Sequence, residues 1–289
     1  MTPRTLGTTG ITVFPIGLGG MPMSIAGRPD RARSLDTLKS AFESGIDFVD
    51  TADVYCLDDA DLGHNERLIA EAIRRFAQGR AITVATKGGC TRPEGRWDRD
   101  GRPEHLKAAC DRSLAALGVE RIDLYQLHAP DDRVKFADSI GALAELRAAG
   151  KVAHVGLSNV TVKQIAQAAA IVPIASVQNR CSVHDTRAFR DGVVDWCTEH
   201  GVAFLPYSPV GGSRGIGRVA SDPTLVRIAR ACGATAPQVA LAWLLAKSPV
   251  IVPIPGASRP ENAARSARAA AITLPDEQVA EIDAAFLGG

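Results

Sequence analysis

Residues 122–158, IDLYQLHAPDDRVKFADSIGALAELRAAGKVAHVGLS, decide the fold. The stretch opens on a β-rich run, IDLYQLH (122–128). It continues into SIGALAELRAAG (139–150), where apolar residues recur at helical period and end on a glycine, the usual residue at a helix C-terminus. A second β-rich run, VAHVGLS (152–158), follows at once. A strand, a crossover helix and a second strand in close succession make a parallel unit, because the helix returns the chain to the same end of the sheet.

The same alternation extends in both directions. Upstream lie FPIGLG (14–19), DFVDTA (47–52) and ITVATK (82–87); downstream lie ASVQNR (175–180), AFLPYS (203–208) and VIVPIP (250–255). Between the runs are helical segments such as RSLDTLKSAFESG, NERLIAEAIRRFA, PEHLKAACDRSLAALG, VKQIAQAAAI and GVVDWCTEHG. Pro103 and Pro237 stand where first-turn prolines belong. Eight strands, each followed by a helix, predict an α/β protein built as one parallel (β/α)8 TIM barrel. A short N-terminal β-hairpin in RTLGTTGITV (4–13) precedes it, turning at Thr8-Thr9-Gly10. No Pro/Gly/Ser linker divides the chain, so residues 1–289 read as a single barrel domain.

A doubly wound dinucleotide-binding fold is the architectural rival. Its glycine fingerprint belongs after the first strand, where Gly17-Leu18-Gly19-Gly20-Met21-Pro22 lacks the third glycine. The later run Gly211-Gly212-Ser213-Arg214-Gly215-Ile216-Gly217 has too little chain after it to build that fold, and no Tyr-x-x-x-Lys accompanies it.

Composition removes other classes. Thirty-three basic and 32 acidic side chains give a net charge of +1 with no basic stripe, so neither nucleic acid nor a membrane is an expected partner. The longest apolar runs, such as VALAWLLA (239–246), fall short of the ~20 residues a span requires. The N-terminal segment has no signal-peptide core, and the six cysteines form no CxxC pair, which fits a cytoplasmic protein with reduced thiols. Cys56, His64 and Cys90 match no zinc-ligand spacing, so no metal is expected.

The chemistry gathers at strand ends. Asp50 and Tyr55 lie in FVDTADVY, Lys87 closes VATKGG as far as its strand runs, and His128 closes LYQLH. Taken singly, each has an ordinary use: a turn carboxylate, a packing phenol, a solvated rim lysine, a core histidine. Four such groups at successive strand ends converge on the C-terminal rim of a barrel, where barrel enzymes do their chemistry. A phenol beside an ammonium, with a carboxylate holding the ammonium and a neutral imidazole orienting the oxygen, suits protonation of an alkoxide formed by hydride addition to a carbonyl.

On these residues, and on RSLAALGVERIDLYQLH, GKVAHVGLSN, SVQN, FLPYSP and VPIPGASRPEN, the chain resembles the aldo-keto reductases over nearly its full length. The resemblance implies reduction of an aldehyde or ketone by NADPH, with NADH as the alternative donor. It makes Tyr55 the general acid, Lys87 the group that lowers its pKa, Asp50 the partner of that lysine, and His128 the residue that orients the carbonyl. It assigns Ser158, Asn159 and Gln178 to the nicotinamide carboxamide and Tyr207 to stacking on the nicotinamide ring. Ser208, Gly211, Gly212 and Arg214, in SPVGGSRGIG (208–217), fall in the loop over the pyrophosphate. Gly256, Ser258, Arg259 and Asn262 fall near the adenosine 2′-phosphate, and Gly20, Met21 and Asp50 also border the cofactor. Met21, Tyr55, Trp97 and His128 would meet a small-molecule carbonyl substrate, and the protein is expected to be a monomer or weak oligomer.

Trp97 has two readings, one as a pocket wall and one as a pin for its loop. The chain also departs from the family. Cys56 stands where glycine usually follows the tyrosine, and CLDDADLGHNE (56–66) makes an acidic loop expected to border the active site. Arg265 and Ser266 stand where a Glu-Asn pair often faces adenine. The chain ends soon after its last helix, at AAFLGG, which implies an open pocket. Two other functions fit the same residues: a Schiff-base aldolase using Lys87, and a nucleotide-sensing regulatory subunit without turnover.

Overall fold

The computed structural model describes residues 2–288. Seven parallel strands form one curled sheet in chain order: strand 1 (Leu18–Gly19), strand 2 (Phe48–Asp50), strand 3 (Thr83–Gly88), strand 4 (Ile122–Leu127), strand 5 (Val152–Ser158), strand 6 (Ile174–Gln178) and strand 7 (Ala203–Phe204). Residues 251–256 close the ring through parallel bridges: Ile251 to Phe204, Ile254 to Tyr207 and Gly256 to Gly19. The result is a (β/α)8 barrel.

The closing segment is a run of bridges rather than a full strand, shorter than the expected 250–255, for a reason visible in its sequence. Pro253 and Pro255 have no N–H to offer strand 1. Their carbonyls still accept from Gly17 and Gly19 at 2.9 and 3.0 Å, while Val252 and Ile254 donate to Phe204 and Pro206 on the other side. Strands 1 and 7 are likewise shorter than 14–19 and 203–208, being flanked by Pro15 and Pro206.

Strand parity sorts the side chains into layers. Phe48, Ala85, Leu124, Ala203, Leu205, Val252 and Ile254 fill the lower barrel interior. Val49, Val84, Tyr125, Leu127, Val155, Leu157, Val177 and Phe204 face outward into the layer covered by helices. The expected hairpin, Arg4–Thr5 against Thr12–Val13, plugs the floor with Leu6 and Val13, which join the interior cluster. Gly7, at φ +58°, turns there against the carbonyl of Ala175, leaving no room for a Cβ.

Two steps up from Phe48, Ala85 and Leu124, the inward positions are Asp50, Lys87 and Gln126, all buried. The interior therefore changes from apolar to polar toward the C-terminal rim. Helices between strands begin and end as their sequences direct: Pro103–Leu117 starts on its proline and stops at left-handed Gly118. Val162–Ala169 carries a Thr161/Gln164 capping box. The apolar run VALAWLLA belongs to the helix Ala236–Lys247, whose Trp243 is fully buried. Among the described residues no single helix is long and apolar enough to cross a membrane; one pair bent by 88°, Pro223–Ala231 with Ala236–Lys247, passes on length and composition alone.

The glycine-rich stretch 208–217 differs from expectation. After Ser208 and Gly211 the chain enters a helix, Gly212–Ser221, anchored by buried Val219. Gly215 and Gly217 are poor helix formers, so packing rather than propensity holds it.

Candidate active site

Lys87 reaches the barrel interior from the end of strand 3 and is completely buried. Its Nζ donates to Asp50 Oδ2 at 2.6 Å, to the Thr51 carbonyl at 2.8 Å and to the Tyr55 hydroxyl at 3.0 Å. All three ammonium protons thus have acceptors. The opposite oxygen of Asp50 accepts from Gln178 Nε2 at 2.7 Å and from Gln126 Nε2 at 3.3 Å. A carboxylate buried at this depth needs such a full set of donors.

Tyr55 follows strand 2 by five residues and is 6% exposed. Its ring packs with Ala52, Val54, Cys90, Ala129 and Met21. The His128 imidazole meets it edge-on, with ring centroids 5.7 Å apart. His128 is seated by its backbone: its N–H donates to Gly88 and its carbonyl accepts from Asn159 Nδ2 at 2.9 Å. Asn159, in the left-handed region at φ +59°, also accepts from the Tyr207 hydroxyl at 2.9 Å and donates to Ser158.

The electrostatics correct one expectation. Burial, and after it the charge of Asp50, push the Tyr55 phenol well above its usual pKa. The neighbouring ammonium does not make the resting phenol acidic; the phenol stays protonated and is a stored proton. Burial also lowers Lys87, against Asp50, which raises it. His128 behaves as expected: burial first, then Lys87, hold its imidazole well below the ordinary range and therefore neutral.

A cleft of about 640 Å3 opens beside these groups, lined among others by Cys90, Trp97, Arg99, His128, Asp132 and Asn159. Ligand sites commonly have this size. One wall is a small hairpin, Cys90–Thr91 against Asp98–Arg99. It presents Trp97, 50% exposed, edge-on to both Tyr55 and His128 at 6.5 and 6.1 Å. Trp97 is thus a pocket wall. The acidic stretch 56–66 puts no side chain among the cleft-lining residues, but it borders the site as expected, since Leu62 packs against the cluster that holds Tyr55. Asp61 pairs with Arg28 at 2.6 Å, Cys56 is buried against the Val54 carbonyl, and the Leu57 carbonyl accepts from Arg92.

The positions expected to hold a dinucleotide fall on the same rim. Arg214 lies exposed in the first turn of the helix Gly212–Ser221, whose N-terminus at Gly211 has no side-chain cap. Exposed Arg259 precedes the helix Pro260–Arg268, likewise uncapped, with Ser258 and Asn262 alongside. Two open helix N-termini, each with an arginine, fit the phosphates of such a cofactor. Gly256 joins this rim to Gly19. Gly20 has a packing role: Asn65 occupies the space of a side chain there and donates to its carbonyl at 2.9 Å.

Sequence reading passed over Gln126 and the Thr51 carbonyl. Gln126 was legible, since it sits two residues from inward Leu124 and two from His128; a backbone acceptor leaves no mark in a sequence. Arg92, 5% exposed with its guanidinium 4.3 Å over the Trp97 ring, was also missed.

The chain is similar to known proteins in sequence and in fold. The Aldo/keto reductase family model matches residues 15–286. An uncharacterized oxidoreductase of Schizosaccharomyces pombe is 34% identical over 256 residues, 88% of this chain and 79% of that protein. The pyridoxine 4-dehydrogenase of Escherichia coli (strain K12) is 32% identical over 291 residues, 96% of each. Among solved structures, the thermostable aldo-keto reductase Tm1743, crystallised with the inhibitor epalrestat, is similar with a TM-score of 0.83 at 28% identity, covering 98% of this chain and 99% of that one.

Proposed function

The chain belongs to the aldo/keto reductase family, and from that premise we propose that it reduces an aldehyde or ketone to an alcohol with NADPH, Tyr55 giving the proton. The observation that carries this reading is the single ammonium of Lys87 bonded at once to Asp50 and to the Tyr55 hydroxyl.

The nicotinamide cofactor supplies the hydride when bound; the protein supplies the proton and the alignment. Arg214 and Arg259 would hold its phosphates, and Ser158 and Asn159 would hold its ring end. Neutral His128 donates a hydrogen bond to the carbonyl oxygen and directs it at Tyr55. An alkoxide is a stronger base than a phenolate, so proton transfer from Tyr55 runs downhill although the resting phenol is a weak acid. The phenolate left behind lies 3.0 Å from Lys87 Nζ, and that contact stabilises it at the moment the charge appears. Asp50 keeps Lys87 charged and aimed. A Schiff-base role for Lys87 is disfavoured by the same contacts, since an amine whose protons all serve acceptors has no lone pair to attack a carbonyl.

Aromatic aldehydes, pyridoxal among them, are the first substrates to screen, because Trp97 faces the reacting pair and a pyridoxine dehydrogenase is among the relatives. The test is NADPH and NADH consumption against aliphatic, aromatic, dicarbonyl and pyridoxal-type carbonyls. Turnover with NADPH on at least one, lost in Tyr55→Phe, supports the reading. Cofactor binding without turnover on any of them overturns it in favour of a nucleotide sensor.

A further inference from the structure

We propose that the cleft beside Tyr55 selects planar aromatic carbonyl compounds bearing an anionic group, with Trp97 as the platform for the ring and Arg99 as the anchor for the charge; this rests on the carbonyl-reductase reading above.

The hairpin builds both features. Trp97 stands nearly perpendicular to both the Tyr55 and His128 rings and leaves half its surface open. Its other support is Arg92, whose guanidinium stacks 4.3 Å from the ring centroid and donates to the Leu57 carbonyl at 3.0 Å. A buried cation beneath an indole fixes the ring and leaves its exposed part for a flat partner.

Charges at the cleft are unevenly spent. Arg133 is held by Asp131 at 2.9 Å and by Asp98 at 3.3 Å. Arg99 forms no ion pair among the described residues; its guanidinium donates to the Pro130 carbonyl at 3.0 Å, which fixes its position and leaves its remaining N–H donors free for an anion, whereas Arg133 is shared between two carboxylates. It lines the same cleft as His128 and Asn159. Asp132, exposed two residues beyond Pro130, forms no ion pair among the described residues and repels an anion placed near it. The preference of the cleft therefore turns on these two residues: Arg99 attracts a carboxylate or phosphate, and Asp132 limits where it sits.

The test compares 4-carboxybenzaldehyde with 4-carbamoylbenzaldehyde, nearly equal in shape and different in charge, on the full-length enzyme with NADPH, alongside calorimetric titration of both. The ratio of kcat/KM, carboxylate over amide, is expected above one in the native enzyme. It falls about tenfold or more in Arg99→Gln, the size of one lost charge-assisted hydrogen bond, recovers in part in Arg99→Lys, and rises in Asp132→Asn. The Trp97→Leu variant weakens both aldehydes together. A ratio at or below one, or one that Arg99→Gln leaves unchanged, overturns the proposal while the reductase reading stands. Arg99-dependent binding of the carboxylate without turnover of either aldehyde keeps the subsite and overturns the reductase reading.

Discussion

Gln178 donates from its side-chain amide to Asp50 across the barrel, 2.7 Å between atoms that are 128 residues apart in the chain. The contact spans strand 6 and strand 2 and leaves the carboxylate with one oxygen for the two glutamines and one for Lys87. Resemblance alone places Gln178 against the nicotinamide, and the structure adds a second duty, positioning the acid that positions the lysine.

The two duties separate in a variant. Gln178→Ala removes a hydrogen bond to a buried charge and is expected to lower stability by about 1.5–3 kcal/mol. If positioning Asp50 is the larger part, kcat falls while the KM for NADPH stays nearly constant. A rise in KM for NADPH with unchanged kcat would show instead that cofactor contact dominates. Steady-state kinetics with the cofactor varied, beside urea unfolding, reads both.

Removing the proton donor is a sharper change. Tyr55→Phe keeps the ring in its packing with Met21, Ala52 and Cys90 and deletes the acceptor of one Lys87 proton. Reduction is expected to slow by about 10²- to 10⁴-fold, the usual worth of a positioned general acid. NADPH affinity, read by fluorescence titration, should change little, and circular dichroism should be unchanged. Wild-type turnover in this variant would mean that another group protonates the alkoxide.

Lys87 and Asp50 are coupled, so their variants should not add. Lys87→Met leaves a buried carboxylate without its cation, and breaking one side of such a pair costs about 3–5 kcal/mol. Combining it with Asp50→Asn neutralises the survivor and should restore part of the stability but none of the activity. Denaturant midpoints for the two single variants and the double variant measure this; equal additivity would show that the pair is not a unit.

The floor of the barrel should behave differently from its rim. Gly7→Ala forces a side chain into the left-handed region, about 1–2 kcal/mol, and drives a methyl group into the Ala175 carbonyl. Overpacking adds about 1–3 kcal/mol. Yet this turn lies at the end remote from Lys87, where barrels keep stability rather than catalysis. A lower thermal midpoint with kcat per folded molecule unchanged is the expected result.

What sequence reading captured follows the same division. Alternation of strand and helix and the residues at strand ends are local patterns, and Asp50, Tyr55, Lys87 and His128 met as expected. Contacts made through backbone atoms were not legible: the Thr51 carbonyl under Lys87 and the Pro253 and Pro255 carbonyls that close the ring carry no side-chain signature. Nor was the balance of competing effects. The pull of Lys87 on the Tyr55 proton is evident from residue types, but burial and Asp50 outweigh it, and burial depth is a property of the folded barrel. The acidic run after Tyr55 borders the site through apolar Leu62 rather than through its charge, and Asp61 turns instead to Arg28, 33 positions earlier.

Neutral His128 gives the last prediction. Its imidazole titrates well below the ordinary value because it is buried and faces Lys87, whereas in the unfolded chain it titrates near ~6.5. Between those values the unfolded state holds the extra proton, so stability is complete above about pH 6.5 and is lost as pH falls below it. Other histidines are shifted the same way, and Asp53 and Glu66 are shifted up by burial and act in the opposite sense, so the whole-protein curve mixes them. The difference between native enzyme and His128→Asn isolates the one group. That difference should shrink by up to about 1.4 kcal/mol per pH unit on going from pH 6.5 to 5.5, measured by urea unfolding at each pH. Reduction should show no acid limb with a midpoint near 6.5, since the imidazole that orients the carbonyl carries no charge there to lose. A constant stability difference across that interval would mean that His128 is solvated enough to titrate normally, and the imidazole that faces the carbonyl would then become charged below about pH 6.5.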